Sequence, residues 1–421
     1  MKRSGGYKMR EGSLYEPCFP DDWPRHPLFS LAQWVNGIAF RDIYFSATGR
    51  PVIKIAEVKN GITQQTKFTQ QVFDDNVLIR EGDLIFSWSG QPETSIDAFW
   101  WRGSEGWLNQ HLFHVIPKPA VDKNFLFYLL RYLRPTFVRL ARNKQTTGLG
   151  HVTRRDMEAL FVGVPPTCEQ RAIAHVLGAL DDKIEANARQ ARLISELAGA
   201  AWRYYAKGMR AVPLGEVVEV GLSGVWGHDS ASGPASVEVM CLRGRDIEDL
   251  VAQRIAAAPR RWLTPKQLLS RSGNKPEIWT AGSGSLGPTL LVTDRLRGAF
   301  GMPIVYSNFV KRLVPRPGMH VHLPSAWFAL LRAWGDGDLS AVTTGTAMPN
   351  LDVAALLALT PVPLLEGDAL VEVAELADLA LDPRCAIENQ RLAALRDALL
   401  PKLLSGELRV RDAESLVGEA V

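Results

Sequence analysis

The clearest pattern in the chain is a run of apolar residues at spacings of three and four that begins after Pro166. No proline interrupts the run, whose members are Ile173, Leu177, Leu180, Ile184, Ala191, Ile194, Ala198 and Ala201, with the polar Asn187 on the same seam between Ile184 and Ala191. This spacing over more than four heptads is typical of a coiled coil, although an amphipathic helix on a globular core gives a similar pattern. A helix from Glu169 to Lys207 would be roughly 58 Å long. Because that length exceeds a single domain, we favour the coiled coil.

A second helical region near the C-terminus consists of two shorter apolar stripes. The first contains Leu370, Val373, Leu376 and Ala380, and the second contains Leu392, Leu395, Leu399 and Leu403. Pro383 separates the stripes, and proline interrupts helices, so we expect a broken helix here. We predict that the two helical regions pair antiparallel and serve as a spacer and a docking surface. The docking candidates are Ile173, Leu177, Leu180, Ile184, Leu392, Leu395 and Leu399.

The remaining segments, roughly residues 15–165 and 210–362, have the short apolar runs and turns of β-rich domains. Residues 51–58 predict one strand, and residues 77–88 predict two short strands about Gly82. In the second segment, residues 236–242 and 289–293 predict strands. We therefore predict an α+β fold with two β-rich domains, each followed by a long helix, the helices pairing as an antiparallel coiled coil.

The order of motifs repeats at a period of roughly 196 to 198 residues. Thr146-Thr147-Gly148 recurs as Thr343-Thr344-Gly345, Asp156 as Asp352, Val164-Pro165-Pro166 as Pro361-Val362-Pro363, and the helix end Lys207-Gly208 as Ser405-Gly406. Such a period is too long for a solenoid. It indicates a duplicated domain.

The overall charge is mildly basic and permits a nucleic-acid partner without requiring one. The 421 residues carry a formal net charge of +3 and include four widely spaced cysteines, which suits a reducing compartment. No apolar signal segment or window of about 18 apolar residues occurs, so we expect a cytoplasmic protein without a membrane partner. We expect the clustered tryptophans to belong to the core, namely Trp88, Trp100, Trp101 and Trp107.

Positive charge is concentrated just before a polar, glycine-rich loop at residues 145–150. Arginines can hold phosphates while short polar side chains reach base edges, so this segment predicts DNA binding. A solvated helix face followed by a loop is the alternative. The DNA-binding candidates are Arg139, Arg142, Lys144, Thr146, Thr147 and His151 in the first copy, and Arg312, Thr343 and Thr344 in the second.

No motif supports a catalytic site, a metal site or a bound cofactor. Residues 282–287 match G-x-G-x-x-G, but a β-prone segment follows where a dinucleotide site needs a helix. Glu57-Val58-Lys59 loosely fits a metal-dependent nuclease, although E-x-K is common. A stand-alone DNA-binding protein, such a nuclease, and a scaffold that contacts only protein remain the alternatives to a non-catalytic DNA-reading subunit.

The duplicated motifs resemble the specificity subunits of type I restriction–modification systems. Pro165-Pro-Thr-Cys-Glu-Gln-Arg-Ala-Ile-Ala174 and Leu180-Asp-Asp-Lys-Ile-Glu185 resemble that family's central conserved region, and Leu399-Leu-Pro-Lys-Leu-Leu-Ser-Gly-Glu-Leu408 resembles its C-terminal end. Residues 81–90 and 107–111 resemble its recognition domains. The second copy departs from the family's Pro-Glu-Gln-Arg-like start, having Pro363-Leu-Leu-Glu-Gly-Asp-Ala369.

The resemblance implies target recognition domains at 1–165 and 209–363, a central conserved helix at 166–208, a C-terminal conserved helical region at 364–410 and a tail at 411–421. It implies that each recognition domain reads one half of a bipartite site in double-stranded DNA. It also implies two methyltransferase subunits that use S-adenosylmethionine, and restriction subunits that use ATP and Mg²⁺ to translocate and cleave DNA. This chain itself is expected to bind no cofactor.

Overall fold

The heptad pattern after Pro166 folds into one continuous helix, Thr167–Ala206, in the computed structural model of the chain. The structure describes residues 7–10, 13–144, 148–255, 257–271, 275–284, 286–337, 341–345 and 349–421. The chain divides into a first unit, residues 1–182 with 392–421, and a second unit, residues 183–391. Each unit therefore includes part of both helical regions. The predicted boundaries instead placed these helices in segments separate from the two recognition domains.

The first part of the chain is mostly strand until the long helix begins. Its elements are β1 (Tyr7–Arg10), β2 (Ser13–Pro17), β3 (Arg25–Pro27), β4 (Ala32–Asn36), β5 (Arg50–Ile53), α1 (Ile55–Asn60), β6 (Phe68–Thr69), β7 (Leu78–Ile79), β8 (Leu84–Ser87), β9 (Ser89–Gly90), α2 (Pro92–Ser95), β10 (Asp97–Trp100), β11 (Gly106–Leu108), β12 (Leu112–Pro117), α3 (Lys123–Tyr132), α4 (Arg134–Arg142), β13 (Gly150–His151), α5 (Arg154–Ala159), β14 (Phe161–Gly163) and α6 (Thr167–Ala206).

The rest of the chain repeats this plan and ends in helices. Its elements are β15 (Ala211–Pro213), α7 (Leu214–Val217), β16 (Val218–Val220), β17 (Val237–Leu242), α8 (Gly244–Val251), β18 (Arg260–Leu263), α9 (Pro265–Arg271), β19 (Glu277–Ala281), β20 (Thr289–Val292), α10 (Asp294–Gly298), β21 (Ile304–Tyr306), β22 (Val310–Pro315), α11 (Leu323–Gly335), β23 (Thr343–Thr344), β24 (Asn350–Leu351), α12 (Val353–Leu359), β25 (Pro361–Pro363), α13 (Asp368–Ala380), α14 (Arg384–Leu404) and α15 (Val410–Gly418).

Two of the predicted strands need correction or refinement. The strand predicted at residues 51–58 ends at Ile53, and a short helix starts at Ile55, where the Glu57 carboxylate accepts a hydrogen bond from the backbone N–H of Lys54 at 3.0 Å. The two strands predicted about Gly82 exist as β7 and β8, but they lie in different sheets. The prediction missed this separation because strand partners are set by tertiary pairing.

The two units share the same sheet topology, which supports the predicted duplication. In the first unit β10-β8-β12-β4 form a four-stranded antiparallel sheet, and in the second β20-β19-β22-β16 form one in the corresponding order. A second sheet in each unit contains one parallel pair, β5 with β11 and β17 with β21. A large apolar core beneath the second unit's sheets includes Trp279, Tyr306 and Leu313.

The structural register corrects the predicted alignment of the two copies by three residues at this motif. The strand equivalent to Pro361–Pro363 is Phe161–Gly163, because each follows a short helix and pairs antiparallel with an early strand of its copy, Ala211–Pro213 or Arg25–Pro27. Val164-Pro165-Pro166 follows that strand and has no strand structure of its own. The predicted alignment therefore matched a segment that follows a strand, Val164-Pro165-Pro166, with a segment that lies within one, Pro361–Pro363. By contrast, Gly148 and Gly345 have the same left-handed backbone, with φ of 86° and 89°.

One close backbone approach recurs in both units and requires glycine. A Cβ atom on Gly37 would lie 2.3 Å from the carbonyl oxygen of Asn109, and one on Gly224 would lie 2.1 Å from that of Ser307. These carbonyls belong to the backbone and cannot rotate away. The sequence analysis did not detect that Gly37 and Gly224 are equivalent, because a single glycine is too common to identify a repeat.

We expect Gly224→Ala to lower the free energy of unfolding by about 2 kcal/mol, because the added methyl group overpacks against a fixed carbonyl. Urea denaturation followed by tryptophan fluorescence measures this change. Gly298→Ala is the matched control, since no atom lies within 4 Å of its Cβ position and alanine favours a helix. Equal stability of the two variants would contradict the close approach.

The helical regions run antiparallel within each unit. In the first unit Arg396 of α14 forms an ion pair with Asp181 of α6. In the second unit the Asn187 side chain donates to Glu388 at 2.8 Å, and the Tyr205 hydroxyl donates to Glu372 of α13 at 2.5 Å. The chain breaks between α13 and α14 at Leu381–Pro383, as predicted from Pro383, and both pieces still pair with α6. The fold-class prediction is confirmed.

Candidate nucleic-acid interface

The predicted basic segment lies on α4 and the residues after it, but Arg142 and Lys144 have carboxylate partners. Arg142 forms an ion pair with Glu93 of α2, and this hydrogen bond lowers the pKa of Glu93. Arg139 also has an interaction partner. Thr146 and Thr147 lie outside the described residues. The segment is therefore a network of ion pairs, and the proposed phosphate contacts at these positions stay a prediction.

Lys144 has a structural partner as well. Its ammonium group lies 2.6 Å from Oδ1 of Asp156 in the first turn of α5. Burial opposes the charged form of Asp156, but hydrogen bonds from Lys144 and Thr153 outweigh it and lower the pKa of that carboxyl. Lys144 therefore ties the end of the basic segment to α5, and a DNA phosphate would have to compete with this carboxylate.

Arg312, one of the predicted DNA contacts, has a buried carboxylate partner within the protein. Its side chain is 13% exposed and forms an ion pair at 2.6 Å with Glu277, which is 2% exposed. Glu277 also accepts a hydrogen bond from the Trp279 indole at 2.8 Å and pairs with Arg297 at 3.2 Å. Arg312 thus neutralises a buried carboxylate between β19 and β22. The sequence could not reveal this role because Glu277 lies 35 residues away.

His151 belongs to an aromatic surface cluster that the sequence did not predict. Its Nδ1 atom is hydrogen-bonded to the Ser89 hydroxyl at 2.8 Å, because β13 pairs with β9. The ring centroid of Trp88 lies 5.8 Å from that of His151 and 6.1 Å from that of His111. Burial, followed by the charge of His151, lowers the pKa of His111. Gln110 lies 3.4 Å from the His111 ring. We call Trp88, Gln110, His111 and His151 the first-unit site.

The prediction that the tryptophans form the core is therefore only partly confirmed. Trp101 and Trp107 are buried, with 2% of each side chain exposed. Trp88 and Trp100 are only half-buried. The motif at residues 107–111 hinted at this surface, but its approach to residues 88 and 151 depends on sheet pairing.

The equivalent surface of the second unit has different side chains on the same backbone framework. The amide of Leu351 donates to the carbonyl of Gly282, as the amide of Val152 does to Trp88. Gly282 in turn donates to Phe309, as Trp88 does to His111. The equivalents of the first-unit site are therefore Gly282, Asn308, Phe309 and Asn350, which we call the second-unit site. Phe309 is 59% exposed.

The remaining second-copy candidates lie beside this site. Thr343 and Thr344 form β23, which pairs with Asn350–Leu351. Thr343 has an interaction partner, and the exposed Thr344 hydroxyl lies 3.4 Å from the Asn350 carbonyl. Their DNA contacts stay a prediction.

Glu57 and Lys59, the candidate residues for a metal-dependent nuclease, have structural partners within the protein. Glu57 is buried and accepts hydrogen bonds from the backbone of Lys54 at 3.0 Å and from the Thr66 hydroxyl at 3.1 Å. The Lys59 ammonium donates to the Thr94 carbonyl. Both side chains are thus part of the local structure. Among the described residues, no three His, Cys, Asp or Glu side chains are grouped so that they could hold a metal ion.

The predicted docking residues are largely inside the chain's own fold. Ile184 and Leu395 are half-buried, and the others are buried, namely Ile173, Leu177, Leu180, Leu392 and Leu399. A buried side chain offers no surface to a partner, because the intramolecular helix pair already covers the heptad seam. A different apolar stripe on α6, formed by Leu193, Leu197 and Tyr204, has each side chain more than half exposed. No helix in the described part of the chain has the length and apolar character needed to cross a membrane.

Comparison with known proteins finds one matching family model and several similar proteins. Residues 21–195 match the model of the type I restriction modification DNA specificity domain. The chain is 21% identical over 391 residues to the type I restriction enzyme MjaVIII specificity subunit of Methanocaldococcus jannaschii, a match that covers 86% of this chain and 87% of that protein. The chain is thus similar to type I specificity subunits over most of its length.

Further comparisons agree with this similarity. The EcoBI specificity subunit of Escherichia coli is 24% identical over 181 residues, covering 42% of this chain and 36% of that protein. The crystal structure of a type I restriction-modification S subunit from M. genitalium has the same fold, with a TM-score of 0.53 at 16% identity, covering 91% of this chain and 96% of that one. This similarity supports recognition of a DNA target and a non-catalytic role, as the sequence analysis predicted.

Proposed function

We propose that this specificity subunit reads a bipartite target in double-stranded DNA, with one half-site for each unit. The observation that carries the proposal is the pair of equivalent surfaces, which share backbone hydrogen bonds but differ in their side chains. Base edges are distinguished by side-chain donors, acceptors and apolar groups. Two surfaces of the same geometry and different chemistry are therefore suited to two different half-sites.

The same proposal assigns the chemistry to partners. Two methyltransferase subunits would modify the target with S-adenosylmethionine, and restriction subunits would use ATP and Mg²⁺ to translocate and cleave DNA. The specificity subunit would contribute DNA affinity, because two linked readers engage their half-sites at a high effective concentration.

Mapping of methylated bases tests this function. The subunit is expressed together with its methyltransferase in a host without other DNA methylation, and methylated positions are mapped across the genome. We expect one bipartite motif with a fixed gap. A continuous motif, or no methylation although the complex is stable, would contradict two readers.

Glu93 provides a test of the phosphate contact predicted for Arg142. We expect Arg142→Ala to weaken binding to all DNA sequences and to reduce the salt dependence by about one phosphate contact. Glu93→Gln should act in the opposite direction, because it releases the guanidinium from its carboxylate. Both effects appear in affinities measured at several salt concentrations.

The double variant separates a direct role of Glu93 from one through Arg142. If Glu93 acts only on Arg142, the double variant Glu93→Gln/Arg142→Ala binds DNA as Arg142→Ala alone does. Unchanged affinity and salt slope in both single variants would show that this ion pair is purely structural.

The exposed stripe on α6 is assigned to the methyltransferase in place of the buried seam. We expect Leu193→Gln/Leu197→Gln to reduce co-purification of the methyltransferase at least tenfold without changing stability, because both leucines are exposed in the chain alone. Leu269→Gln is the matched control, since Leu269 is also an exposed helical leucine of the second unit. Full co-purification of the double variant would exclude this surface.

A further inference from the structure

The two unit sites occupy one position in a duplicated framework. Asn109 and Ser307 each donate a backbone hydrogen bond at 2.9 Å to the end of the neighbouring parallel strand, at Ile53 and Leu242. This pairing makes Gln110 equivalent to Asn308 and the exposed His111 equivalent to Phe309. The framework therefore holds an amide side chain followed by a variable residue at the same place in both units.

The chemistry of the first-unit site is that of hydrogen bonding by imidazoles. His111 is exposed and His151 half-buried, and both rings lie beside the Trp88 indole. The Trp88 indole N–H donates to the Asn36 side chain at 3.2 Å. This hydrogen bond anchors the indole to β4, beside the two histidines. A protonated imidazole donates from both ring nitrogens, which suits the acceptors of guanine or a phosphate, and Gln110 suits adenine.

The second-unit site has no titratable side chain in these positions. Phe309 replaces His111, Asn350 replaces His151, and Gly282 replaces the tryptophan. An exposed phenylalanine is suited to the methyl group of thymine, and asparagine is suited to adenine. Thus the two sites differ in shape, in hydrogen bonding and in their response to pH.

We infer that these equivalent positions are the base-reading sites of the two units, and that only the first-unit site takes up protons when it binds DNA. The inference rests on the proposed bipartite function and names the residues that would specify each half-site.

The negative charge of DNA determines how the affinity of the first-unit site depends on pH. DNA surrounds a bound side chain with negative potential, which favours a protonated imidazole. Because burial and His151 lower the pKa of His111, that ring is neutral in the free protein near neutral pH and gains a proton on binding. The extra affinity for DNA is complete below the pKa of His111 in the free protein. It is lost as the pH rises through the pKa of His111 in the DNA complex.

Other charged groups on the adjoining elements do not supply the same response. Glu93 of α2 pairs with Arg142 of α4, and Lys144 pairs with Asp156 of α5. The Ser89 hydroxyl that bonds His151 does not titrate in this range. The histidines are therefore the titratable groups within the first-unit site itself.

The test uses the subunit in complex with its methyltransferase and a duplex that contains the mapped target. Dissociation constants are measured between about pH 6 and 8 at constant ionic strength for three complexes, the wild type, His111→Asn/His151→Asn and Phe309→Ala. Methylated motifs are mapped for the same three complexes. Phe309→Ala is the matched control, because it changes the equivalent position without removing a titratable group.

We expect the wild-type affinity to fall as the pH rises, by up to about tenfold per pH unit for each proton taken up. The histidine variant should lose this slope and relax only the first half-site, whereas Phe309→Ala should keep the slope and relax only the second. An unchanged slope in the histidine variant, or relaxation of the opposite half-site, would overturn the inference. A wild-type complex without a bipartite motif would instead refute the proposed function.

Discussion

Replacement of Arg312 by alanine is expected to lower the free energy of unfolding by about 3 kcal/mol and to leave the salt dependence of DNA binding unchanged. The reason is the buried carboxylate of Glu277, which is 2% exposed and loses its partner at 2.6 Å. Arg297 and the Trp279 indole remain as partial compensation. Urea denaturation followed by tryptophan fluorescence measures the stability, and titrations at several salt concentrations measure the slope.

Arg316→Ala is the matched control on the same side of the unit. Arg316 pairs with Glu219 at 3.6 Å, but both side chains are about half exposed, so the expected loss is below about 1 kcal/mol. Suppose instead that Arg312→Ala keeps full stability and reduces the salt slope by about one phosphate contact. Arg312 would then contact DNA, and the structural role assigned to it would be wrong.

Removal of one heptad from both paired helical regions is expected to shorten the gap between half-sites by about three base pairs. Seven helical residues span about 10.5 Å, and base pairs rise about 3.4 Å each. Deletion of residues 183–189 with residues 387–393 removes Asn187 together with its partners Glu388 and Asn389, so this polar cluster is removed as a whole. Mapping of methylated bases reads out the gap and both half-sites.

Deletion of residues 183–189 alone is the control for this experiment. It leaves Asn389 without the Ile184 carbonyl, to which its amide donates at 3.2 Å, and leaves α14 one heptad longer than its partner segment. We expect this variant to lose stability and methylation. A shortened gap after the single deletion, or changed half-sites after the paired deletion, would contradict the separation of spacer and readers.

Periodic patterns explain what the sequence predicted well. The long helix, the break at Pro383 and the strands Val237–Leu242 and Thr289–Val292 follow from local rules of spacing, proline geometry and β propensity. The duplication was also visible, because turn motifs that end strands and helices recur in order. Its register was wrong by a few residues at Pro361–Pro363, since a short proline motif fits equally well inside an edge strand or just after it.

The candidate site was harder to predict because it depends on charges and rings that meet across the fold. Arg142 and Lys144 looked like free cations in a basic run, yet Glu93 and Asp156 reach them from other helices. His151 was predicted from its loop, but Trp88 and His111 come from segments next to other strands. Separations of 12 to 63 residues along the chain leave no periodic signal in a single sequence.

The sequence by itself thus determined the class of fold, the duplication and the resemblance to type I specificity subunits, because helices, turns and short motifs are written in neighbouring residues. Tertiary structure alone decided which arginines are neutralised, which leucines remain exposed and which side chains share the two equivalent surfaces. The physical reason is that burial, ion pairing and ring contacts depend on distances in space. Those distances are set by how the strands and helices pack together, which the order of residues along one chain does not display.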